Sequence, residues 1–481
     1  MKILFKGLLA AFRRQIATLK GDKASDGTML ERIQMAHIRH FVELQHPVTG
    51  LSLDRSRSSS PASIAATGFA LTAYPIAVER GWIKRDEAVT HALKVLRTLW
   101  QTPQGPGVCG VSGYRGFFYH FLDPATGFRT TTDNSLWWNS ELSSIDTALL
   151  MAGVLFAKNY FVSESVEETE IRDLADSLYR RVDWNWLKND QDLISHGWTP
   201  EAGLITNAYR GLSEAHLLYL LALGSPTHAV PANSWQAYMG DAQAESQLGQ
   251  CFVRCPGSPM FVYQFPHVWI DFLGIRDAVN RRLGFDYFEN SKRATKAQHA
   301  YAIQNPFGWS GYDRYNWGIT ASDGPGDAEL IIDGRNRIFW AYRERGAPDG
   351  NDDGTIAPTA AISSLVFAPQ IVLATLRYWL KKRPEIFGVR GFADAFNLTF
   401  RRESLDSKLT AKANAASSTG WVDPETVSID QGPILAMIEN YRTGLVWRTM
   451  KNDAYLQEGL KRAGFTGGWL QCLNRHKGRI K

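Results

Sequence analysis

Cysteine is scarce in this chain. Only Cys109, Cys251, Cys255 and Cys472 occur in 481 residues, which excludes a fold built on a disulfide framework. Cys251 and Cys255 lie close together, but no second ligand pair stands at zinc-finger spacing, so the four read as structural thiols, with a local disulfide or a metal as lesser alternatives. Long hydrophobic runs are missing too: no uncharged apolar stretch approaches the roughly 18 residues of a membrane span. Residues 1–14 begin like a secretory leader, but Lys6 interrupts the apolar run and Arg13-Arg14 end it early. No small-residue cleavage site follows, so the expectation is an amphipathic starting helix in a cytoplasmic protein, with a periplasmic location left open. Nor is there a basic run. The net charge of +5 is dispersed, and its densest cluster, Lys381-Lys382-Arg383, follows Tyr378-Trp379-Leu380 as a helix end would, where cations suit the dipole. Nucleic acid is therefore not an expected partner. No Pro/Ser linker splits the chain convincingly; 54–61, Asp-Arg-Ser-Arg-Ser-Ser-Ser-Pro, is the nearest approach and comes too early. One domain over 26–465 is expected, between an N-terminal extension (1–25) and a C-terminal tail (466–481).

What the chain has is helical periodicity and aromatic loops. From Asp86, the residues Val89, Ala92, Leu93, Leu96, Leu99 and Trp100 keep the three- and four-residue spacing of one buried helix face. Ser165 and Glu168 pair as a capping box before another helix. Eleven helices are expected near 28–45, 62–80, 86–101, 141–161, 165–182, 207–223, 262–275, 285–304, 358–379, 432–449 and 453–463. Those at 62–80, 141–161 and 358–379 are apolar on most faces, as helices wrapped by other helices are. The intervening stretches, roughly 102–140, 183–206, 225–260, 305–357 and 400–431, are long and rich in Gly, Trp, Tyr, Asp and Asn. Loops of that length are functional or disordered, and their aromatic content speaks against disorder. Helices paired around a closed ring, with these loops gathered over one end as a cleft, fit the pattern; two stacked bundles fit it as well.

The chemistry concentrates at Trp137-Trp138-Asn139-Ser140-Glu141-Leu142-Ser143-Ser144-Ile145-Asp146 and at Tyr209-Arg210-Gly211-Leu212-Ser213-Glu214. Indole faces stack on sugar rings, and two carboxylates are what glycosidic cleavage requires. Each acid is equally at home in the first turn of a helix, but two such segments among 16 tryptophans favour a carbohydrate site. Glu214, Asp146 and Glu141 are the catalytic candidates. Glu214 suits the acid, since burial beside aromatic rings raises a carboxyl pKa, although a nearby Arg210 would hold it ionised. Glu141 and Asp146 are about 140° apart on a helix, so both face one cleft only if Glu141 lies at or before the cap. Candidate sugar contacts are Trp138, Asn139, Tyr209, Arg210, His267, Asp271, Trp309, Tyr315, Trp317 and Asp323. Asp430 reads as a turn-closing acid. His216, His228 and His267 show no ligand spacing, so neither a metal nor another cofactor is expected.

Eleven segments in order, over about residues 40–450, resemble the glucoamylase-like family grouped around the bacterial endo-β-1,2-glucanases (glycoside hydrolase family 144). They include His46-Pro47-Val48-Thr49-Gly50-Leu51, Gly116-Phe117-Phe118-Tyr119-His120-Phe121, Asn139 to Ala148, Val182-Asp183-Trp184-Asn185-Trp186 and His196-Gly197-Trp198. Further along stand Glu214-Ala215 with 224–228, His267-Val268-Trp269-Ile270-Asp271-Phe272, 286–291, 317–326, 353–361 and Asp430-Gln431-Gly432-Pro433 with 439–444. The resemblance implies an all-α fold, an (α/α)6 barrel or toroid with the cleft at one end. It further implies hydrolysis of β-1,2-linked glucan, an oligo- or polysaccharide, with inversion at the anomeric carbon. Transglycosylation, β-elimination on a uronic-acid polymer, or a non-catalytic sugar-binding module remain as alternatives.

Overall fold

The structure, a computed structural model, describes residues 25–132, 139–402 and 416–471. It is rich in helices. In chain order these are α1 (Asp26–Glu43), α2 (Ile64–Glu79), α3 (Arg85–Gln101), α4 (Ser144–Tyr160) and α5 (Val166–Arg180). Next come α6 (His216–Gly224), α7 (Asn233–Met239), α8 (Phe265–Trp269), α9 (Ala278–Leu283) and α10 (Tyr287–Gln304). The last are α11 (Pro358–Ile362), α12 (Pro369–Lys382), α13 (Ser428–Arg442), α14 (Leu445–Met450) and α15 (Ala454–Arg462). No helix among the described residues is long and apolar enough to cross a membrane.

Two kinds of helix follow from two kinds of sequence. α2, α4, α6, α8, α11 and α13 are buried on nearly every face. α1, α3, α5, α10, α12 and α15 bury one stripe and leave polar residues outside. The inner helices touch their neighbours: α2 packs on α4 and α13, α4 on α6, and α13 on α8 and α11. Glycine makes the closest crossings possible. A Cβ on Gly153 would stand 2.0 Å from the Gly68 carbonyl oxygen, so α2 and α4 meet backbone to backbone; a Cβ on Gly459 would stand 2.0 Å from the Leu220 oxygen, where α15 crosses α6.

Serine caps set the inner helix starts. Ser63 Oγ accepts from Ala66 N at 3.2 Å and Ser143 Oγ from Asp146 N at 3.2 Å. Ser165 likewise accepts from Glu168 N, but the Glu168 carboxylate turns to Ser163 N and Arg85, so the expected capping box is only half formed. Other boundaries also differ from expectation. The helix expected over 207–223 forms only from His216, because Gly211 takes a positive φ of 76° and breaks the turn before it. The one expected over 262–275 shortens to α8 behind a 3-10 turn at Met260–Tyr263. The one at 358–379 splits at Pro369, and the one at 432–449 begins earlier and breaks at Gly444, φ 69°. The short α7 and α9 were not expected, and neither were the small antiparallel strand pairs that pin loops to helix starts. At the C-terminal side Thr466–Gly467 pairs with Ile275–Arg276.

Candidate active site

A cavity of about 610 Å³ opens over the N-terminal ends of the inner helices. Its wall includes Ser63 before α2, Asp146 in the first turn of α4, Phe265 at the start of α8 and Asp430 in the first turn of α13. Helix N-termini carry partial positive charge, which favours carboxylates there. Short strands bring loop residues to the same place. Ala62–Ser63 pairs with Phe121–Leu122, setting His120 and Phe121 beside the start of α2, while Leu142–Ser143 pairs with Gly197–Trp198 just before α4.

On one wall an imidazole lies between two acids. His120 Nδ1 is 2.8 Å from Glu141 Oε1, and Nε2 is 3.6 Å from Asp146 Oδ1. Burial alone would lower the imidazole pKa, but Asp146 and Glu141 raise it to about 9. Glu141 precedes the Ser143 cap, the one arrangement that lets it share a face with Asp146. Burial works against the charge on Glu141 as well, yet the hydrogen bond from His120 keeps its pKa low. Asp146 is more deeply buried, and burial raises its pKa despite His120 and a 2.5 Å hydrogen bond from the Ser143 hydroxyl.

The opposite wall is built from acids around one guanidinium. Arg55 donates from Nη1 to Asp323 Oδ2 at 2.8 Å and to Glu425 Oε2 at 3.1 Å, and from Nε to Asp54 Oδ2 at 3.0 Å. The Asp323 backbone N–H donates to Asp394 Oδ2 at 2.8 Å. Asp394 and Asp430 lie against each other, and burial raises both: Asp394 well above the carboxylate range and Asp430 to about 7, with Asp323 adding repulsion. A pair so placed shares a proton. Asp323, Asp394 and Asp423 bring one oxygen each within 4.8 Å of one another, the one such acidic set among the described residues. Arg55 on Asp323 and the shared proton on Asp394 balance that charge from within the protein.

Glu214 sits in the turn just before α6, half-buried. Burial raises its pKa to about 7, with Glu344 and Asp146 adding to the rise against its own N–H and the Tyr209 hydroxyl, which lower it. Arg210, expected to hold it ionised, points away to Gln191 and lies 3.9 Å from Asp241. Of the expected site residues the structure thus brings Asp146, Glu141, Asp323, Tyr209 and Glu214 into one neighbourhood. Asn139 is exposed and its Oδ1 accepts from Thr132 N at 3.0 Å. Trp138 lies outside the described residues.

Five expected sugar contacts are corrected. Trp317 is fully buried, with Nε1 donating to Thr375 Oγ1 at 2.8 Å. Trp309 is covered by Arg337 and donates to Asp352 Oδ2 at 3.0 Å. Tyr315 stacks on Tyr378 with ring centroids 4.6 Å apart. His267 is buried against Phe272 and Phe367, and burial lowers its pKa to about 3. Asp271 pairs with Lys451 at 2.5 Å. None of these five lines the cavity, and neither do Glu141, Tyr209 and Glu214, which act on its wall acid Asp146 or its His120. One further expectation fails in the opposite direction: Asp430 is a cavity acid and not a turn closer. The stretch 54–61, which was not read as a site, supplies Asp54, Arg55, Arg57 and Pro61 to the wall. His120, Asp394 and Tyr342 also line it without having been singled out. Only His120 lay in a segment that carried a resemblance.

A curated relative from Parabacteroides distasonis, named exo beta-1,2-glucooligosaccharide sophorohydrolase (non-reducing end), is 27% identical over 473 residues, covering 91% of this chain. The chain spans only 58% of that protein's length. A solved structure from the same organism, titled beta-1,2-glucanase, is 25% identical with a TM-score of 0.76, covering 92% of this chain and 60% of the other. A structure from Bacteroides uniformis titled "putative glucoamylase" is 30% identical, with a TM-score of 0.77 and coverage of 93% and 99%. Residues 207–454 match the Glycoamylase family model, described as "Putative glucoamylase". With a model that spans more than half of the chain and a 30%-identical relative over nearly its whole length, the chain belongs to the Glycoamylase family.

Proposed function

We propose that the protein hydrolyses β-linked glucan, β-1,2-glucan above others, on an (α/α)6 toroid whose six inner and six outer helices form one catalytic unit over 26–465. The observation that carries this reading is Glu214, a half-buried carboxyl with a pKa near 7 that feels the charge of Asp146, an acid of the cavity wall. The names of the Parabacteroides distasonis relatives support the substrate class.

In this reading Glu214 gives its proton to the glycosidic oxygen as the C1–O bond breaks. A water attacks C1 from the opposite face and passes its proton to Asp146, so Glu214 ends ionised, Asp146 protonated, and both reset through solvent. His120 takes up the proton in preference to Asp146, which keeps the aspartate free to accept one. Inversion requires the two carboxyls about 6.5–9.5 Å apart, room enough for the water. A second reading makes the Asp394–Asp430 pair the base, because both line the cavity and touch. Incubation with linear β-1,2-glucan beside a panel of other β-glucans tests the function. New reducing ends, first seen by NMR as the α-anomer, are expected; no product from any glucan would sink it, and an initial β-anomer would sink inversion. Tight glucan binding without turnover would favour a non-catalytic module, and products longer than the substrate a transglycosylase. Loss of turnover in Asp430→Asn but not in Asp146→Asn would favour the second reading.

A further inference from the structure

Most aromatic rings on the cavity wall are occupied by one another. His120 and Phe121 stack with centroids 3.9 Å apart, and Phe261 lies against Phe265 at 5.4 Å. Phe121 and Phe265 are only 7% and 5% exposed, so each offers the cavity little more than an edge. Tyr342 differs. It lines the same cavity and is 65% exposed. Among the described residues no ring packs on it and no group bonds its hydroxyl.

The side chain is bare, but the backbone under it is fixed on both sides. Before it, the buried Arg345 guanidinium, paired with Asp353, donates from Nη2 to Trp340 O at 2.9 Å and to Ala341 O at 3.2 Å. Ala341 N donates in turn to Asp327 Oδ1 at 3.1 Å. After it, Arg343 and Ser322 exchange both backbone hydrogen bonds, at 3.1 and 3.2 Å, and Arg345 Nη1 binds the same Ser322 oxygen at 2.6 Å. That bridge is antiparallel, so the next opposed residues are Asp323 and Tyr342. Opposed side chains in such a pair stand on one face, and both of these line the cavity. Asp323 is the carboxylate that Arg55 holds at 2.8 Å. The ring thus stands beside a charged, hydrogen-bonding edge.

A β-glucosyl unit in its chair form has every ring substituent equatorial. Its hydroxyls lie around the edge, and both faces present only C–H bonds. Such a face suits an open aromatic ring, whereas a sugar with an axial hydroxyl would set oxygen against it. Tyrosine gives this contact area at little entropy cost, because only two torsions need fixing. We propose that Tyr342 is a substrate-binding residue: its ring is the platform on which one glucosyl unit of the glucan lies, with the hydroxyl edge of that unit toward Asp323. The proposal rests on the reading of the protein as a β-glucan hydrolase and supplies the stacking residue that Trp309, Tyr315 and Trp317, all packed elsewhere, do not.

The experiment measures kcat and KM on β-1,2-glucooligosaccharides for the wild type, Tyr342→Ala, Tyr342→Phe and Tyr342→Trp. Calorimetry on the same set in a Glu214→Gln background gives Kd without turnover. Tyr342→Ala is expected to raise KM and Kd about 10-fold, the scale of one aromatic stacking contact. Its kcat should stay near the wild-type value, because a platform under a non-reacting face binds ground and transition states alike. The melting temperature should not move, since an exposed ring adds little to the core. Tyr342→Phe and Tyr342→Trp keep a ring face and should bind close to the wild type. Wild-type KM and Kd in Tyr342→Ala would overturn the proposal, as would a fall in kcat at unchanged KM. So would a Tyr342→Phe enzyme with the Ala defect, which would put the contact on the hydroxyl and not on the ring. A wild type that neither binds nor cleaves any glucan would overturn the proposed function and the platform with it. Cleavage with an unaffected Tyr342→Ala would overturn the platform alone. Full turnover in Glu214→Gln would sink the donor assignment and leave KM to decide the role of Tyr342.

Discussion

The His120 clamp makes a quantitative claim about stability. In the folded protein the imidazole titrates near 9, held there by Asp146 and Glu141 against the cost of its burial. An unfolded histidine titrates near about 6.5, and each tenfold gain in proton affinity corresponds to about 1.4 kcal/mol, so the clamp contributes up to about 3 kcal/mol. Because the folded pKa is the higher one, this contribution is complete below pH 6.5 and disappears as pH rises through 9. Replacing His120 by Gln removes it at every pH and leaves two acids facing each other. Urea unfolding of the wild type and of His120→Gln should show a stability gap that narrows by as much as about 3 kcal/mol between pH 6 and pH 10. The figure is a ceiling, since Asp146 in the variant holds its own proton to higher pH and softens the gap at pH 6. A gap that stays flat across that range, or an imidazole NMR titration near 6.5 in the folded protein, would refute the clamp.

Glu214→Gln should cut turnover by roughly 100-fold or more, the scale of general-acid catalysis, while calorimetry with a β-1,2-glucooligosaccharide shows near-normal binding. Arg345→Met takes the guanidinium away from the Asp353 carboxyl in a site where both side chains are fully buried, at a cost of about 3–5 kcal/mol in urea unfolding. The double variant Arg345→Met/Asp353→Leu should be more stable than the single one. Trp317→Phe should lower the melting temperature and leave KM unchanged, because the indole fills the core; a raised KM at full stability would return Trp317 to the cleft. Gly153→Ala places a methyl group against the Gly68 carbonyl and should cost about 1–3 kcal/mol, as overpacking does.

The amphipathic helices were legible where periodicity is a direct consequence of burial. The expectation at 86–101 meets α3 within one residue at its N-terminus and coincides at the end. Legibility failed where local chemistry overrides pattern: Gly211 stops a helix that apolar spacing alone would continue, and Pro369 restarts one. At the site, carboxylates near helix starts were readable because serine caps and first-turn acids leave a mark in one segment. Asp146 and Glu214 were singled out that way. Arg55, Asp394 and Tyr342 were not, because their role comes from contacts with residues more than fifty positions away, such as Arg55 with Asp323 and Asp323 with Asp394. Aromatic residues misled for a related reason. A tryptophan that closes a helix gap and one that stacks on a sugar look alike in sequence, and burial alone separates Trp317 and Trp309 from the cavity.

Protons around the cavity are sorted by which acids have a cation within reach. A first-turn carboxylate gains about 0.3–1 kcal/mol from its helix dipole, yet Asp430 in the first turn of α13 titrates near 7, as Glu214 does just before α6. Desolvation therefore outweighs the dipole wherever no cation stands beside the acid. Glu141 has His120 and stays low; Asp323 has Arg55, which binds Asp54 and Glu425 with the same guanidinium. Glu214 and the Asp394–Asp430 pair have no such partner, and they are the groups that hold protons near neutrality. Protonated and ionised acids can then coexist at one pH around the cavity, the combination that the proposed cleavage of a sugar linkage needs. The imidazole on the wall fits the same sorting: burial already raises the Asp146 pKa against the pull of His120, and without His120 to carry the proton Asp146 would join the proton-holding acids.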